Sequence, residues 1–234
     1  MTRYADLLPR YKRLRQSAVR LNSRLVKTLS RNVLNEGGKK LGILRRNVLT
    51  LDSADEIAVL MDYCIFNVRR SGVNAVERYL AKSPPPQDSD EMAILLGMRQ
   101  AHYSLFAVEA VERAVGVHVK DLLRDEPRFL MDVGLSGSAP LGMILATRVM
   151  APEGIGMTGG AALPVGVLST SERATFLQGV AALCPGVDFR CLSPREASDL
   201  TGLIIRTCLQ RGAAERVAYV EPKPGRGRRD RRDS

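Results

Sequence analysis

Phe106 to Leu123 reads FAVEAVERAVGVHVKDLL, and this run decides the fold. Apolar and polar residues alternate along it, which is the period of a strand with one buried face. Gly116 stands near its centre, as expected for two strands joined by a turn. Three further runs follow: RFLMDVGL (128–135), GMILATRVM (142–150) and the glycine-broken IGMTGGAALPV (155–165). With the first run counted as two strands, five short strands succeed one another, separated by Gly, Pro, Ser and Asp. This spacing predicts a small antiparallel β-barrel or curled sheet over residues 104–166.

On either side of that region the period is helical. Ser53 precedes ADEIAVLMDYCIFNVRR, with acids in the first turn and arginines in the last, matching both ends of the helix dipole. A short helix over 74–80 stops before Pro84-Pro85-Pro86, a stiff extended spacer. Ser89 opens a further helix, DEMAILLGMRQAHYS. Beyond Ser169, SERATFLQGVAALC and SPREASDLTGLIIRTCLQR are helical, the second closing on Gln-Arg-Gly. Towards the N-terminus, Tyr4 to Leu29 has helical character with an incomplete stripe of Leu7, Leu14, Val19, Leu21, Leu25 and Val26. Asn35-Glu36-Gly37-Gly38 reads as a break.

The expected class is therefore α+β: an N-terminal helical region, a small central antiparallel β-barrel or curled sheet, and C-terminal helices. Its segments are a basic helical stretch (1–50), a helical region (51–103), the barrel-like region (104–166), a C-terminal helical region (167–220) and a basic tail (221–234). The tail, ending PKPGRGRRDRRDS, has no apolar residue to pack and is expected to be disordered.

Composition sets the outer limits. A chain of 234 residues buries a sizeable core. With aromatic content at 5% and no Trp, that core rests on Leu, Val, Ile, Ala and Met. MTRYADLLPRYKR has no apolar secretion segment, and no run of about 18 apolar residues occurs, so a cytoplasmic protein with no membrane partner is expected. Cys64, Cys184, Cys191 and Cys208 lack the paired spacing of zinc ligands, and His102 and His118 stand elsewhere. Free thiols, no metal and no cofactor follow as expectations.

Tyr103 to Val165 resembles a region of uncharacterised bacterial proteins that carry a SEC-C motif. The matching residues are Phe106, Gly116, Val117, Asp121, Leu122, Leu123, Leu135, Ser136, Arg148, Val149, Gly160, Leu163 and Pro164. The resemblance implies a bacterial protein with a barrel embedded between helices, and it implies no activity. The zinc knuckle of those proteins, Cys-x-Cys with a later Cys-Cys or Cys-His pair, has no counterpart around Cys184, Cys191 and Cys208. Zinc-dependent partner binding is not implied for this chain.

Sites of chemistry are few. Gly154-x-Gly156-x-x-Gly159 has the spacing of a dinucleotide-binding loop, but Pro164 and a strand-like pattern follow where that loop needs a helix. A glycine-rich hairpin is the better reading. Gly134-Leu135-Ser136-Gly137-Ser138 lacks the last glycine of a nucleophile elbow and reads as a turn. Gly37-Gly38-Lys39-Lys40 lacks the second half of a phosphate-binding loop. Asp52, Asp55 and Glu56, like Asp88, Asp90 and Glu91, stand at helix starts and cap them. No catalytic residue is expected.

Charge points to a partner. Residues 1–50 hold thirteen Lys and Arg against Asp6 and Glu36, a balance of +11, and residues 221–234 are +3. Since the chain totals +10, the body between them is −4. From Arg10 to Arg31 there are eight cations and no acid. Pairs one turn apart, Arg20 with Arg24 and Lys27 with Arg31, repel in an isolated helix. Such a face is stabilised by a polyanion. Arg10, Lys12, Arg13, Arg20, Arg24, Lys27 and Arg31, with Arg226, Arg228 and Arg229 of the tail, are the expected phosphate contacts. The expected function is a non-enzymatic, sequence-independent nucleic-acid-binding protein. The alternative is an interaction module or adaptor whose basic arms bind an acidic protein surface.

Overall fold

The computed structural model describes residues 4–46, 48–49, 51 and 53–212; the tail 221–234 lies outside them. A 3-10 turn (Ala5–Leu7) leads into α1 (Leu8–Lys27), where Pro9 sits in the first turn and withholds no needed N–H. α2 (Arg31–Leu41) follows, then a hairpin of β1 (Leu44–Arg45) and β2 (Val48–Leu49). Next come α3 (Ala54–Phe66), α4 (Ala75–Lys82) and α5 (Asp90–Arg99). Ser53 and Ser89 accept from the backbone N–H three residues on, and Asn74 with Glu77 forms a full capping box.

The β-rich part is β3 (His102–Glu112), β4 (Gly116–Asp121), β5 (Glu126–Met131), β6 (Met143–Met150), β7 (Met157–Thr158) and β8 (Leu163–Val167). All pairings are antiparallel in the order β5-β4-β3-β6-β7, with β8 also on β6. The sheet curls until the N–H of Met131, at the end of β5, donates to the Gly156 carbonyl just before β7 at 2.8 Å. A Cβ built at Gly156 would overlap the Phe129 carbonyl oxygen. The glycine of the apparent dinucleotide fingerprint thus serves close approach of two backbones at the rim of a half-barrel. α7 (Thr170–Ala182) and α8 (Pro194–Gln210) complete the α+β fold, each started by a capping box, at Ser169 and Ser193.

The β3 and β6 strands are buried on both faces, and their alternation sorts the core. Tyr103, Leu105, Ala107, Ile144 and Ala146 face α2, α3 and α8, packing with Leu60, Cys64, Ile204 and Cys208. Phe106, Val108, Leu145 and Val149 fill the inside of the curl with Val117, Val119 and Leu130. A third cluster joins α1 to α3, α4, α5 and the ends of β5 and β6. Apolar burial of this kind, about 25 cal/mol per Å², holds the layers together.

Several local expectations change. Asn35 to Gly38 lies inside α2 and is not a break, because a Cβ at Gly37 would overlap Cys64 Sγ of α3 and one at Gly38 would overlap Leu49. The buried stripe of α1 is Tyr11, Leu14, Ser17, Ala18, Leu21 and Leu25, whereas Val19 is 60% exposed. α5 stops at Arg99, so His102, Tyr103 and Ser104 belong to β3. The first β-turn falls on Arg113 to Val115, with Ala114 at φ 62°, and Gly116 already pairs with Met131. Residues Val133–Ser138 form a short helix capped by Asp132, not a simple turn.

Candidate functional site

The cations of α1 divide into two sets, because its apolar stripe leaves two flanks and an outer face. Arg10 and Arg24 lie on a flank and turn inward to carboxylates of the same chain. Arg10 Nη1 donates to Asp90 at 2.5 Å, and its Nη2 and Nε donate to Glu153 at 2.5 and 2.8 Å. The guanidinium is held above its ordinary value by Glu153 first and Asp90 second, and Glu153 is lowered by Arg10. Arg24 donates to Glu91 and, at 3.3 Å, to the Tyr79 hydroxyl. Asp90 and Glu91 are the first-turn acids of α5, so each both meets the dipole and ties α1 to α5. Both arginines are thus held by carboxylates of the same chain, unlike the rest of the expected phosphate contacts on α1. On the other flank Arg15 Nη1 donates to the Thr158 carbonyl at 2.6 Å.

Lys12, Arg13, Arg20 and Lys27 form the outer set; they and Arg31, which opens α2 and not α1, are all exposed. Arg20 donates to Ser17 Oγ at 2.9 Å. Lys12, Arg13, Lys27 and Arg31 make no hydrogen bond or ion pair among the described residues. Arg13, Arg20 and Lys27 recur every seven residues, hence in one stripe with about 10.5 Å of helix rise from one to the next. Arg226, Arg228 and Arg229 lie outside the described residues.

A second concentration of positive charge was missed by sequence reasoning. Arg69, Arg99, Arg124, Arg128, Arg148 and Arg190 line one cleft of about 420 Å³ with His102, Glu77 and Glu126. They come from six places in the chain: the loops after α3 and before α8, the end of α5, the β4–β5 turn, β5 and β6.

Two of these arginines are anchored from beneath. Arg148 is 3% exposed; its Nε lies 3.0 Å from both oxygens of Asp62, and its Nη2 donates to Asp62 at 2.8 Å and to Asn67 Oδ1 at 2.7 Å. Its guanidinium carbon sits 4.1 Å from the Phe66 ring centroid. Arg124 Nη1 reaches Asp121 at 3.4 Å. Asp121, fully buried, also accepts from Ser104 Oγ at 2.6 Å and from the N–H groups of Leu123 and Arg124 at 3.1 Å each. Burial alone would raise the pKa of this carboxyl, but hydrogen bonds from His102 and Ser104, with the Arg124 charge, hold it below the usual range. His102 Nε2 stands 3.3 Å from Asp121, and burial lowers its pKa. With Asp121 ionised, the proton belongs on Nε2, leaving Nδ1 as an acceptor.

Part of this was legible. Arg148 is the one charge in GMILATRVM and shares the strand face of Ile144 and Ala146, a core position by period two. Asp121 likewise shares a face with Val117 and Val119. A charge at a core position announces a buried partner. Arg69, Arg99, Arg128 and Arg190 carry no such signal; topology alone assembles them.

Residues 5–165 match the model of one protein family, DUF7986, a family of unknown function. The match starts in the turn before α1 and ends in β8, before α7 and α8. No curated protein and no solved structure matches the chain.

Proposed function

The chain belongs to that family of unknown function, and from its own geometry we propose that it is a non-enzymatic, cytoplasmic nucleic-acid-binding protein. The contact surface is the outer face of α1, with Arg13, Arg20 and Lys27 at its centre, Lys12 beside them, and Arg31 at the start of α2. One observation carries this reading: the three central cations form an exposed stripe that makes no ion pair among the described residues, whereas Arg10 and Arg24 of the same helix are paired internally. A helix that pairs its flank cations and leaves its outer ones unpaired presents those charges to an external anion. Contacts of this type read phosphates and not bases, so binding is independent of sequence.

The test is fluorescence anisotropy with labelled duplex DNA and single-stranded RNA over a range of salt. Changing Arg13, Arg20 and Lys27 together to Gln keeps helix propensity. Affinity is expected to fall, and the slope of log affinity against log salt on duplex DNA to become shallower by about 0.9 per lost contact. Unchanged binding by the triple variant at every salt, or no binding by the parent at low salt, overturns the proposal.

A further inference from the structure

The arginine-lined cleft is separate from the outer face of α1: it is lined by none of the outer α1 cations. Its six guanidinium groups face the carboxylates of Glu77 and Glu126 in its wall and of Asp62 and Asp121 beneath it. Two positive charges remain in excess, with His102 neutral. Four of the six arginines are held by those carboxylates: Arg69 by Glu77 at 2.6 Å, Arg128 by Glu126 at 2.6 Å, Arg124 by Asp121 and Arg148 by Asp62. Held does not mean saturated. Arg148 Nη1, Arg124 Nε and Nη2, and Arg69 Nη1 have no hydrogen-bond acceptor among the described residues. Arg128 Nε is buried with no hydrogen-bond partner among the described residues. Arg99 has no ion-pair partner among the described residues, and Arg190 uses only Nε, donating to the Arg124 carbonyl at 3.2 Å.

We propose that this cleft binds a small phosphorylated molecule through its phosphate or pyrophosphate group, with Arg99 and Arg190 supplying the free charges and Arg124 and Arg148 a fixed floor. Three features favour phosphate over carboxylate. The donors converge from separate elements, which suits a tetrahedral anion accepting in several directions better than a planar carboxylate accepting one fork. The excess of two charges matches a phosphate monoester, which carries about −1.5 to −2 at neutral pH. The floor is already ordered by its own carboxylates, so little side-chain entropy is lost on binding. A cleft of about 420 Å³ admits a small metabolite.

The experiment is calorimetric titration of the full chain with pyrophosphate, inorganic phosphate, citrate and sodium chloride at matched ionic strength. Saturable one-site binding of pyrophosphate or phosphate, tighter than citrate, is expected. The variant Arg99→Gln/Arg190→Gln removes two surface charges that hold no carboxylate, so its melting temperature should match the parent. Its affinity for pyrophosphate should fall by about tenfold or more, as each charge-assisted hydrogen bond lost weakens binding substantially. The Arg13→Gln/Arg20→Gln/Lys27→Gln variant serves as the reverse control and should bind pyrophosphate as the parent does. Heats no larger than those of chloride, citrate binding tighter than both phosphates, or equal affinity in the Arg99→Gln/Arg190→Gln variant each overturns the proposal. If the α1 variant loses pyrophosphate binding instead, the phosphate site lies on α1 and the cleft is not it.

Discussion

Asp62 of α3 and Arg148 of β6, 86 residues apart, form a two-pronged ion pair inside the core, with side chains only 6% and 3% exposed. The pair joins the helical layer to the curled sheet at the wall of the arginine cleft. Its second partner, Asn67, in turn donates from Nδ2 towards Thr201 of α8 at 3.4 Å. One guanidinium therefore links α3, β6 and, through Asn67, the C-terminal helix.

Breaking that pair from one side should be costly. Asp62→Ala leaves a buried guanidinium without its counter-charge, and a loss of about 3–5 kcal/mol is expected. The double change Asp62→Leu/Arg148→Met should cost less than the sum of the single changes, since no charge is then left buried. Urea denaturation of the parent, of Asp62→Leu and Arg148→Met singly, and of the double variant gives the coupling. Additive losses would show that the two side chains act independently.

Gly37→Ala tests why a glycine pair sits in the middle of α2. In an exposed helix the change would stabilise by about 1 kcal/mol through propensity. Here the added methyl meets Cys64 Sγ, so a net loss of about 1–3 kcal/mol from overpacking is expected. Adding Cys64→Ala to the variant should recover part of the loss. A higher melting temperature for Gly37→Ala alone would count against the close approach of α2 and α3.

Acid should weaken the protein in two stages. His102, facing Asp121, Arg124 and Arg128, has its pKa lowered by burial. It binds more protons unfolded than folded, so its contribution is full above its unfolded value of about 6.5 and declines as pH falls below it. Asp121 is likewise lowered on balance, so its share is complete above the unfolded value of about 3.9 and is lost below it. Stability measured against pH should fall on acidification, with His102→Gln flattening the upper stage and Asp121→Asn the lower. A parent profile that is flat from neutral pH to acid would contradict both assignments.

Thiol chemistry should follow burial. Burial pushes Cys64 and Cys208 up to about 12, whereas Cys191 is exposed and Cys184 half-buried. A disulfide reagent at neutral pH should label Cys191 first, then Cys184, and reach Cys64 and Cys208 only when denaturant opens the core. Early labelling of Cys64 would mean that the contact between α2 and α3 opens readily.

Much of the architecture was present in the sequence because it depends on neighbours. Alternation from Phe106 to Leu123 and the short apolar runs up to Val165 identify the strands, and Ser53, Asn74, Ser89 and Ser193 identify helix starts, since strand-like runs and N-caps are both local events. What local reasoning misread were residues whose role is to meet something distant. Gly37 and Gly38 have the composition of a loop, yet they sit in a helix because Cys64 and Leu49 press against them. Gly156 has the spacing of a cofactor loop, yet it serves the backbone of β5.

Charge divides in the same way. The sequence by itself determined that α1 is rich in cations, that Leu14, Leu21 and Leu25 form the heart of its buried stripe and that the body is acidic. Only the tertiary structure decided which cations are paired, because the packing of α1 on α5 brings Asp90 and Glu91 to Arg10 and Arg24, and the turn after β6 brings Glu153 to Arg10. The arginine cleft is wholly of the second kind. Its members are separated by up to 121 positions, from Arg69 to Arg190, and a field made by convergence exists only once the strands and helices have brought those side chains together.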